Sequence, residues 1–277
     1  MKIKLSKYSG FCWGVKRAIN TVKKIARHSK KVQTFGPLVH NAHELDRLRS
    51  MGIVEINELS EIDEKFPVVI RAHGISPSVE KELRERCSRI IDATCPLVKK
   101  IHGIVNMLAK NGYFIIIKGD IAHPEVKGIL GHAIGKAIVV KDYKEAEKIN
   151  VKADKIALVA QSTEIPEEFE RIADSLKKKY PKIRIFDTIC TPTKLAKSSA
   201  IKLAKESDLM IVIGGKNSSN TRKLTKVCSK HCSTIQIAEA KELSAEMVRN
   251  FNRIGITAGA STPDYIVNNV IKKLKQK

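Results

Sequence analysis

The chain has 277 residues, of which 43% are hydrophobic, so it can bury a substantial core. Its longest apolar runs have the length of strands and are far shorter than the roughly 20 residues that a membrane helix needs. Lys and Arg outnumber Asp and Glu by 51 to 29, and the net charge of +22 favours anionic partners. We expect a soluble, cytoplasmic protein with no export signal, because the first residues, MKIKLSKY, form no continuous apolar segment.

The first third of the chain predicts alternating helices and strands. Apolar residues recur with helical spacing from about Val15 to Arg27, whereas short β-branched runs indicate strands. Ser76 followed by Pro77 has the pattern of a helix start. The predicted elements are helices over residues 15–27, 42–51 and 76–87 and strands over residues 32–35, 53–56, 68–71 and 89–91.

The rest of the chain repeats this order of elements. The predicted strands cover residues 113–118, 137–140, 156–159, 182–186, 209–213, 235–238 and 253–257. The last repeat lacks a closing strand, and Lys2 to Leu5 at the N-terminus has the missing pattern. We therefore predict that the N-terminal strand completes the last sheet.

The cysteines mark three repeats. Cys12, Cys95 and Cys190 each lie 24 positions before a glycine, and His40, His123 and Ser218 come four positions after those glycines. Repetition at a fixed spacing indicates a repeated structural unit. The sequence predicts an α/β protein of three pseudo-threefold-related sandwich lobes, a trefoil around a central site. The predicted lobes are residues 10–93, 94–188 and 189–277, the last completed by residues 1–9.

Three of the six cysteines are candidate iron ligands. Cys12, Cys95 and Cys190 lie at tight turns before a helix, where the helix N-terminus favours a thiolate. Three equivalent thiolates without a fourth suggest an iron–sulfur cluster with one iron open to substrate, since electron-transfer clusters usually have four protein ligands. We interpret Cys87, Cys228 and Cys232 as core or surface residues. A zinc site at Cys228, His231 and Cys232 is the alternative, but it lacks a second ligand pair.

Polar residues follow the predicted strands in all three repeats. Ligands in open α/β sheets bind at the carboxyl ends of strands, near helix N-termini. Imidazole, hydroxyl and amide donors, with the glycine-rich turn over residues 214–220, suit a diphosphate. The candidate diphosphate-binding residues are His40, His73, His123, Ser218, Ser219, Asn220 and Ser261. The other histidines, His28, His102, His132 and His231, we interpret as surface or core residues.

Glu125 is a candidate proton donor. It follows His123 and Pro124 and is the only carboxylate at an equivalent strand end, in a site that is otherwise rich in donors. Ser162, Thr163 and Thr193 are candidates to relay or orient its proton. The structural alternative is a first-turn acid that interacts favourably with the dipole of its helix. Asp92 and Asp187 occupy predicted helix-capping positions before Cys95 and Cys190.

Over nearly its whole length the chain resembles the 4-hydroxy-3-methylbut-2-enyl diphosphate reductases (IspH/LytB). The motifs that carry this resemblance are Gly10-Phe11-Cys12, Gly14-Val15, Arg17-Ala18, Val39-His40-Asn41, Ala72-His73-Gly74, Asp92-Ala93-Thr94-Cys95-Pro96, His123-Pro124-Glu125, Lys216-Asn217-Ser218-Ser219-Asn220 and Thr257-Ala258-Gly259-Ala260-Ser261. Two departures stand out. Ser162 replaces a threonine that is common in the family, and Ala196-Lys197 replaces a common Arg-Gln pair.

The resemblance implies a 4Fe-4S cluster on Cys12, Cys95 and Cys190, whose unliganded iron binds the allylic hydroxyl of the substrate. It also implies that the histidines, Ser218, Ser219, Asn220 and Ser261 hold the diphosphate, and that Glu125 supplies a proton. Two electrons and two protons would remove the hydroxyl as water and give isopentenyl and dimethylallyl diphosphate. This is the last step of the non-mevalonate isoprenoid route.

Two other functions are open alternatives. A basic nucleic-acid-binding module would have structural cysteines and salt-dependent binding, but 5% aromatic content offers few stacking platforms. An iron–sulfur dehydratase would need the open iron but no reductant. For the reductase we expect an acidic ferredoxin or flavodoxin as the reducing partner, no nucleic-acid or membrane partner, and a monomer.

Overall fold

A computed structural model of the chain describes residues 1–39 and 41–276. Its regular elements alternate between strands and helices along the sequence. The strands are β1 (Lys2–Leu5), β2 (Val32–Phe35), β3 (Ile53–Ile56), β4 (Val68–Ile70), β5 (Ile90–Asp92), β6 (Phe114–Lys118), β7 (Ala137–Val140), β8 (Ile156–Ala160), β9 (Arg184–Ile185), β10 (Leu209–Ile213), β11 (Ser233–Ile237) and β12 (Arg253–Ala258). The helices are α1 (Trp13–Ala26), α2 (Ala42–Arg49), α3 (Pro77–Arg86), α4 (Pro96–Lys110), α5 (Pro124–His132), α6 (Tyr143–Lys148), α7 (Pro166–Lys179), α8 (Thr191–Lys205), α9 (Ser219–Cys228) and α10 (Asp264–Lys275).

The strands form three parallel sheets of four strands with the same internal order. The orders are β3-β2-β4-β5, β7-β6-β8-β9 and, read in the same direction, β11-β10-β12-β1. In the third sheet β1 takes the place that β5 and β9 take in the others, and it pairs in parallel with β12, with Leu5 opposite Ile256. The predicted α/β class and the predicted pairing of Lys2–Leu5 are therefore confirmed.

The inner strands β4, β8 and β10 are continuous apolar runs, as expected for parallel strands that are covered on both faces. All five residues of β8 and of β10 are buried, and Ile115, Ile116 and Ile117 of β6 are fully buried. Clusters of buried side chains lie on opposite faces of the middle sheet, one around Ile115 and Ile117 and the other around Ile116 and Leu158. Alternate residues of one strand thus enter different cores.

The predicted boundaries are close to those observed, with two informative differences. The edge strand β9 covers only Arg184–Ile185 instead of residues 182–186, because a turn in which the Ile183 N–H bonds the Tyr180 carbonyl occupies the preceding residues. Helix α6 was not predicted, because its six residues are too few to show an apolar periodicity. Its start is nevertheless marked by the N-cap Asp142, which accepts a hydrogen bond from the Glu145 N–H.

Contacts within the chain divide it into two units. The first contains Met1–Lys16, Leu38–Met51 and Thr191–Lys277, and includes the β11-β10-β12-β1 sheet. The second contains Arg17–Pro37 and Gly52–Cys190, and includes the other two sheets. The lobe boundaries at residues 10–93, 94–188 and 189–277 stay a prediction. Among the described residues, no helix is long and apolar enough to cross a membrane.

Candidate active site

The three candidate iron ligands have equivalent backbone environments. In each case the cysteine N–H donates a hydrogen bond to the carbonyl that lies two residues beyond the end of a neighbouring strand, which is β12, β4 or β8. The pairs are Cys12 with Ala260 (3.2 Å), Cys95 with Ala72 (3.0 Å) and Cys190 with Ser162 (3.0 Å). The repeat that was read from spacing therefore extends to individual hydrogen bonds.

Each of these cysteines directly precedes a helix. Helices α1, α4 and α8 begin at the next residue, and the carbonyls of Cys12 and Cys95 accept the first helical hydrogen bonds, from Lys16 and Lys99. All three cysteines are partly exposed. A partly exposed thiol at a helix N-terminus is in the environment that favours a reactive thiolate.

The remaining cysteines are Cys87, Cys228 and Cys232, of which Cys232 is partly exposed. Cys87 is 6% exposed and Cys228 is fully buried, as expected for core residues. Burial raises the pKa of the Cys228 thiol to about 12, and it also raises the pKa values of Cys87 and Cys232. Because metal ligation requires the thiolate, these three side chains are poor ligands.

Within the described part of the chain, no three His, Cys, Asp or Glu side chains form a group suited to a single metal ion. A four-iron cluster holds its cysteines farther apart than one ion holds its ligands, so this finding leaves the cluster a prediction. The chemistry of the donor set fits it, since three equivalent, partly exposed thiols precede helices.

Glu125 is buried and held by Ser162. Its side chain is in the first turn of α5 and the residue is 2% exposed. The carboxylate accepts two hydrogen bonds, one from the Ser162 N–H to Oε1 (2.6 Å) and one from the Ser162 hydroxyl to Oε2 (2.8 Å). Ser162 also accepts the Cys190 N–H through its carbonyl. One residue thus positions both the candidate proton donor and a candidate iron ligand.

His73 and His123 lie side by side in the second unit. Their rings meet edge to face, with centroids 5.4 Å apart and an interplanar angle of 77°. His123 is the N-cap of α5, and its Nδ1 accepts a hydrogen bond from the Glu125 N–H (3.2 Å). A neutral His123 therefore carries its proton on Nε2, where it can be donated to an anion. The candidate residue His40 lies outside the described residues.

The segment after β8 is fixed at both ends. Gln161 is fully buried, and its side-chain amide donates to Thr163 Oγ1 (3.2 Å) and accepts from the Asp120 N–H (3.3 Å). Three residues on, Glu164 forms a buried ion pair with Lys118 (2.8 Å). These contacts fix the backbone that presents Ser162 to Glu125. The spacing of motifs gave no sign of this ion pair.

The first unit contains the remaining candidate diphosphate ligands. Ser218 is the N-cap of α9 and accepts a hydrogen bond from the Thr221 N–H (3.3 Å), while Ser219 and Asn220 begin the helix. Ser261 lies in the turn after β12. That turn packs on the first turn of α9, because a Cβ on Gly259 would collide with Thr221. The hydroxyl and N–H donors of both segments therefore belong to one packed arrangement.

Thr193 lies in the first turn of α8 and is buried, with 7% of its surface exposed. It belongs to the first unit, whereas Glu125, Ser162 and Thr163 belong to the second. The proton relay that includes Thr193 stays a prediction.

Asp92 and Asp187 have a different role from the predicted one. Asp92 Oδ1 accepts the Thr94 N–H (2.8 Å) and Asp187 Oδ1 accepts the Ile189 N–H (3.1 Å). These bonds close turns ahead of the helices, and the N-cap of α4 is Cys95 itself. Burial alone would raise the pKa of Asp92, but hydrogen bonds from Lys99 and Thr94 outweigh it and hold this pKa below its usual range.

Comparisons with known proteins agree with this geometry. A family model described as LytB protein matches residues 3–275. The chain belongs to the LytB family. It is 45% identical over 278 residues to the 4-hydroxy-3-methylbut-2-enyl diphosphate reductase of Nitratiruptor sp., covering 100% of this chain and 99% of that protein. It is 39% identical to the Aquifex aeolicus protein of the same name, covering 98% and 95%.

Solved structures of LytB-family reductases have the same fold. The Plasmodium falciparum E-1-hydroxy-2-methyl-but-2-enyl-4-diphosphate reductase has a TM-score of 0.95 at 30% identity, covering 99% of this chain and 88% of that chain. A second structure, an (E)-4-hydroxy-3-methyl-but-2-enyl diphosphate reductase described as the terminal enzyme of the non-mevalonate pathway, has a TM-score of 0.72 at 39% identity, covering 100% and 99%.

Proposed function

We propose that this LytB-family chain reduces 4-hydroxy-3-methylbut-2-enyl diphosphate to isopentenyl and dimethylallyl diphosphate. Whole-length similarity to reductases of that name supports the reaction. The observation that carries the proposal is the buried Glu125 carboxyl, oriented by Ser162 beside the His73–His123 pair. Such a group can hold a proton next to an anionic substrate.

Cys12, Cys95 and Cys190 would hold a 4Fe-4S cluster. When bound, this cluster supplies electrons to the substrate and one iron that is open to the substrate hydroxyl. The protein contributes matched cysteine turns, each fixed by a hydrogen bond to a segment that follows a neighbouring strand. Burial raises the pKa values of Cys87, Cys228 and Cys232, which disfavours the thiolate form that cluster ligation requires.

The diphosphate would be bound by imidazole, hydroxyl, amide and backbone N–H donors. His123 offers its Nε2–H, His73 lies against it, and Ser218, Ser219, Asn220 and Ser261 add hydroxyl, amide and helix N-terminal N–H groups. His40 is assigned to this set from the sequence resemblance. Imidazole and backbone N–H groups bind an anion strongly when they are already oriented before it arrives.

The reaction consumes two electrons and two protons. The carbon–oxygen bond breaks, one proton completes the water that leaves, and the second is added to carbon. Glu125 is the proposed proton source, because it is the buried acid beside the donor cluster. Ser162 orients its carboxyl, and Thr163 and Thr193 are proposed to relay or orient the proton.

The reducing partner is proposed to be an acidic ferredoxin or flavodoxin. The net charge of +22 favours encounter with an acidic protein at low salt. A monomeric state and a cytoplasmic location are further proposals, made from the sequence. The nucleic-acid and dehydratase alternatives are not favoured by the family relationship.

The test of function uses anaerobically purified protein. We expect about four irons and four sulfides per chain and turnover that requires an added electron donor. Protein that contained zinc or no metal would contradict the cluster. Turnover without a reductant would instead indicate a dehydratase.

The test of Glu125 has a matched control. Glu125→Gln should keep iron and substrate binding but lose turnover, because the amide cannot supply the proton. Glu167 also follows a proline at the first position of a helix, but it is exposed, so Glu167→Gln should keep turnover. Near-normal turnover of Glu125→Gln would leave Glu125 with only a first-turn structural role.

A further inference from the structure

His102 packs against the two segments that carry His73 and His123. It belongs to α4, the helix that begins after Cys95, and only 7% of its surface is exposed. Its position in the sequence indicates only a surface or core residue. Its surroundings in the second unit connect it to the two segments that carry His73 and Glu125.

Two glycines make room for the His102 ring. A Cβ on Gly74 would lie 2.6 Å from His102 Cε1, and a Cβ on Gly128 would lie 3.2 Å from His102 Nε2. Gly74 directly follows His73, and Gly128 is three residues after Glu125 on α5. The ring thus fills the space between the Ala72–Gly74 turn and the first half of α5. Gly74 has a φ of +70°, so a side chain there would be strained as well as crowded.

The far end of α5 also contacts this ring. His132, the last residue of α5, stacks on His102 with ring centroids 4.2 Å apart and an interplanar angle of 27°. Gly131 packs closely on Ser76, the N-cap of α3, which follows the same turn. Helix α5 is therefore packed along its length against His102 and the segment after β4. A shift of His102 would be transmitted to both segments, because the ring lies against Gly74, Gly128 and His132.

An apolar side chain would be the simpler filler of this space. His102 Nε2 is buried and has no hydrogen-bond partner among the described residues, and an unpaired buried polar atom is destabilising. Burial, together with the neighbouring charge of His132, lowers the pKa of His102 to about 4. The ring is therefore neutral at pH 7 and places no charge behind His73 and His123.

We propose that His102 is a positioning residue for diphosphate binding: its ring sets the separation between the turn that carries His73 and the helix that carries His123 and Glu125. The two candidate ligands meet edge to face at 5.4 Å, and their contact depends on the placement of these two segments. This inference rests on the proposed function, because it assigns His73 and His123 to the substrate diphosphate.

The first test removes the ring. In the cluster-loaded His102→Ala enzyme, the KM for the substrate and the inhibition constant for inorganic diphosphate should both rise by about tenfold, since displaced binding groups lose much of their effect. Iron content should stay at the wild-type value, and kcat should fall less than KM rises. An exposed histidine provides the control, and His231→Ala should leave all these values unchanged.

The second test perturbs the same contact from the other side. A methyl group on Gly128 would crowd the His102 ring at 3.2 Å and reach the Gly74 backbone at an ordinary contact distance of 3.7 Å, so Gly128→Ala should also raise KM. In the His102→Ala background the same methyl group has space, so Gly128→Ala should add no further increase. Gly103 is the control, because a Cβ there meets nothing within 4 Å and Gly103→Ala should leave KM unchanged.

Each outcome decides the proposal. If His102→Ala and Gly128→Ala both have the wild-type KM, even with lowered thermal stability, His102 is only a core residue and the positioning proposal is overturned. If His102→Ala fails to fold, the KM of Gly128→Ala decides alone. A wild-type enzyme that binds inorganic diphosphate without turning over the substrate would refute the proposed function and leave the positioning role to be judged from the inhibition constants.

Discussion

The contact between Ser162 and Glu125 leads to a quantitative prediction. Ser162→Ala deletes the hydroxyl that donates to Glu125 Oε2 (2.8 Å). It keeps both backbone contacts, namely the N–H that donates to Oε1 and the carbonyl that accepts the Cys190 N–H. The substitution therefore removes one hydrogen bond from the proposed proton donor and keeps the backbone hydrogen bond from the Cys190 N–H to the Ser162 carbonyl.

The size of the effect follows from the burial of the carboxyl. Leaving a buried acceptor without its hydrogen bond costs about 1–3 kcal/mol, and with Glu125 2% exposed, bulk water has little access to replace the Ser162 hydroxyl. If the bond orients Glu125 for proton transfer, its full value appears in the barrier, and kcat should fall by about 10- to 100-fold. KM should change little, because the proposed diphosphate donors are on other residues.

The assay measures kcat and KM anaerobically with a chemical reductant, alongside the iron content of each variant. Ser162→Thr is the matched variant, since it keeps the hydroxyl and should retain most of the activity. A kcat for Ser162→Ala within roughly twofold of wild type would correspond to less than 0.5 kcal/mol. That result would refute the idea that this bond orients the proton donor.

Three further predictions concern the cluster, the buried ion pair and pH. Cys95→Ser should lower the iron content, measured by colorimetric assay, whereas Cys228→Ser should not, because burial keeps that thiol protonated. Lys118→Met should lower the free energy of unfolding in urea by about 3–5 kcal/mol, because it leaves the carboxylate of Glu164, which is 1% exposed, without its partner. The double variant Lys118→Met/Glu164→Leu should recover most of this loss. Equal losses in the single and double variants would contradict the argument. Folding lowers the pKa of His102 from 6.5 to about 4, so between pH 4 and pH 6.5 the unfolded chain binds more protons than the folded one. The free energy of unfolding should therefore drop by about 3 kcal/mol as the pH decreases from 6.5 to 4. His102→Leu should reduce that drop in anaerobic urea titrations, and an unchanged pH profile would show that another group is responsible.

The sequence predicted the fold through features that are local. Continuous apolar runs such as Leu209–Ile213 indicate strands buried on both faces, and they occur where the pattern placed them. The return of Lys2–Leu5 to the last sheet could be predicted because a repeat with one element missing is itself a pattern. The short helix Tyr143–Lys148 was missed, and the strand Arg184–Ile185 is shorter than predicted. The bounds of such short elements depend on turns rather than on apolar periodicity.

The candidate site divides in a similar way. Spacing identified Cys12, Cys95 and Cys190, but only the coordinates reveal that their N–H groups have matching carbonyl partners. Asp92 was assigned to a helix cap, and it instead closes the preceding turn, because its side chain reaches the Thr94 N–H. The sequence alone cannot distinguish these two roles, because an aspartate side chain can accept a backbone N–H either at a helix cap or in the turn before it.

By itself, the sequence determined the types of the candidate site residues, the threefold repeat and the order of helices and strands along the chain. These features depend on composition and short-range periodicity. The tertiary structure decided which groups each of these side chains contacts. Glu125 is both a first-turn acid and a buried carboxyl held by Ser162, and His102 is a neutral ring between Gly74 and Gly128. Those outcomes depend on segments far apart in the chain meeting at ångström precision, and no spacing within one segment encodes that distance.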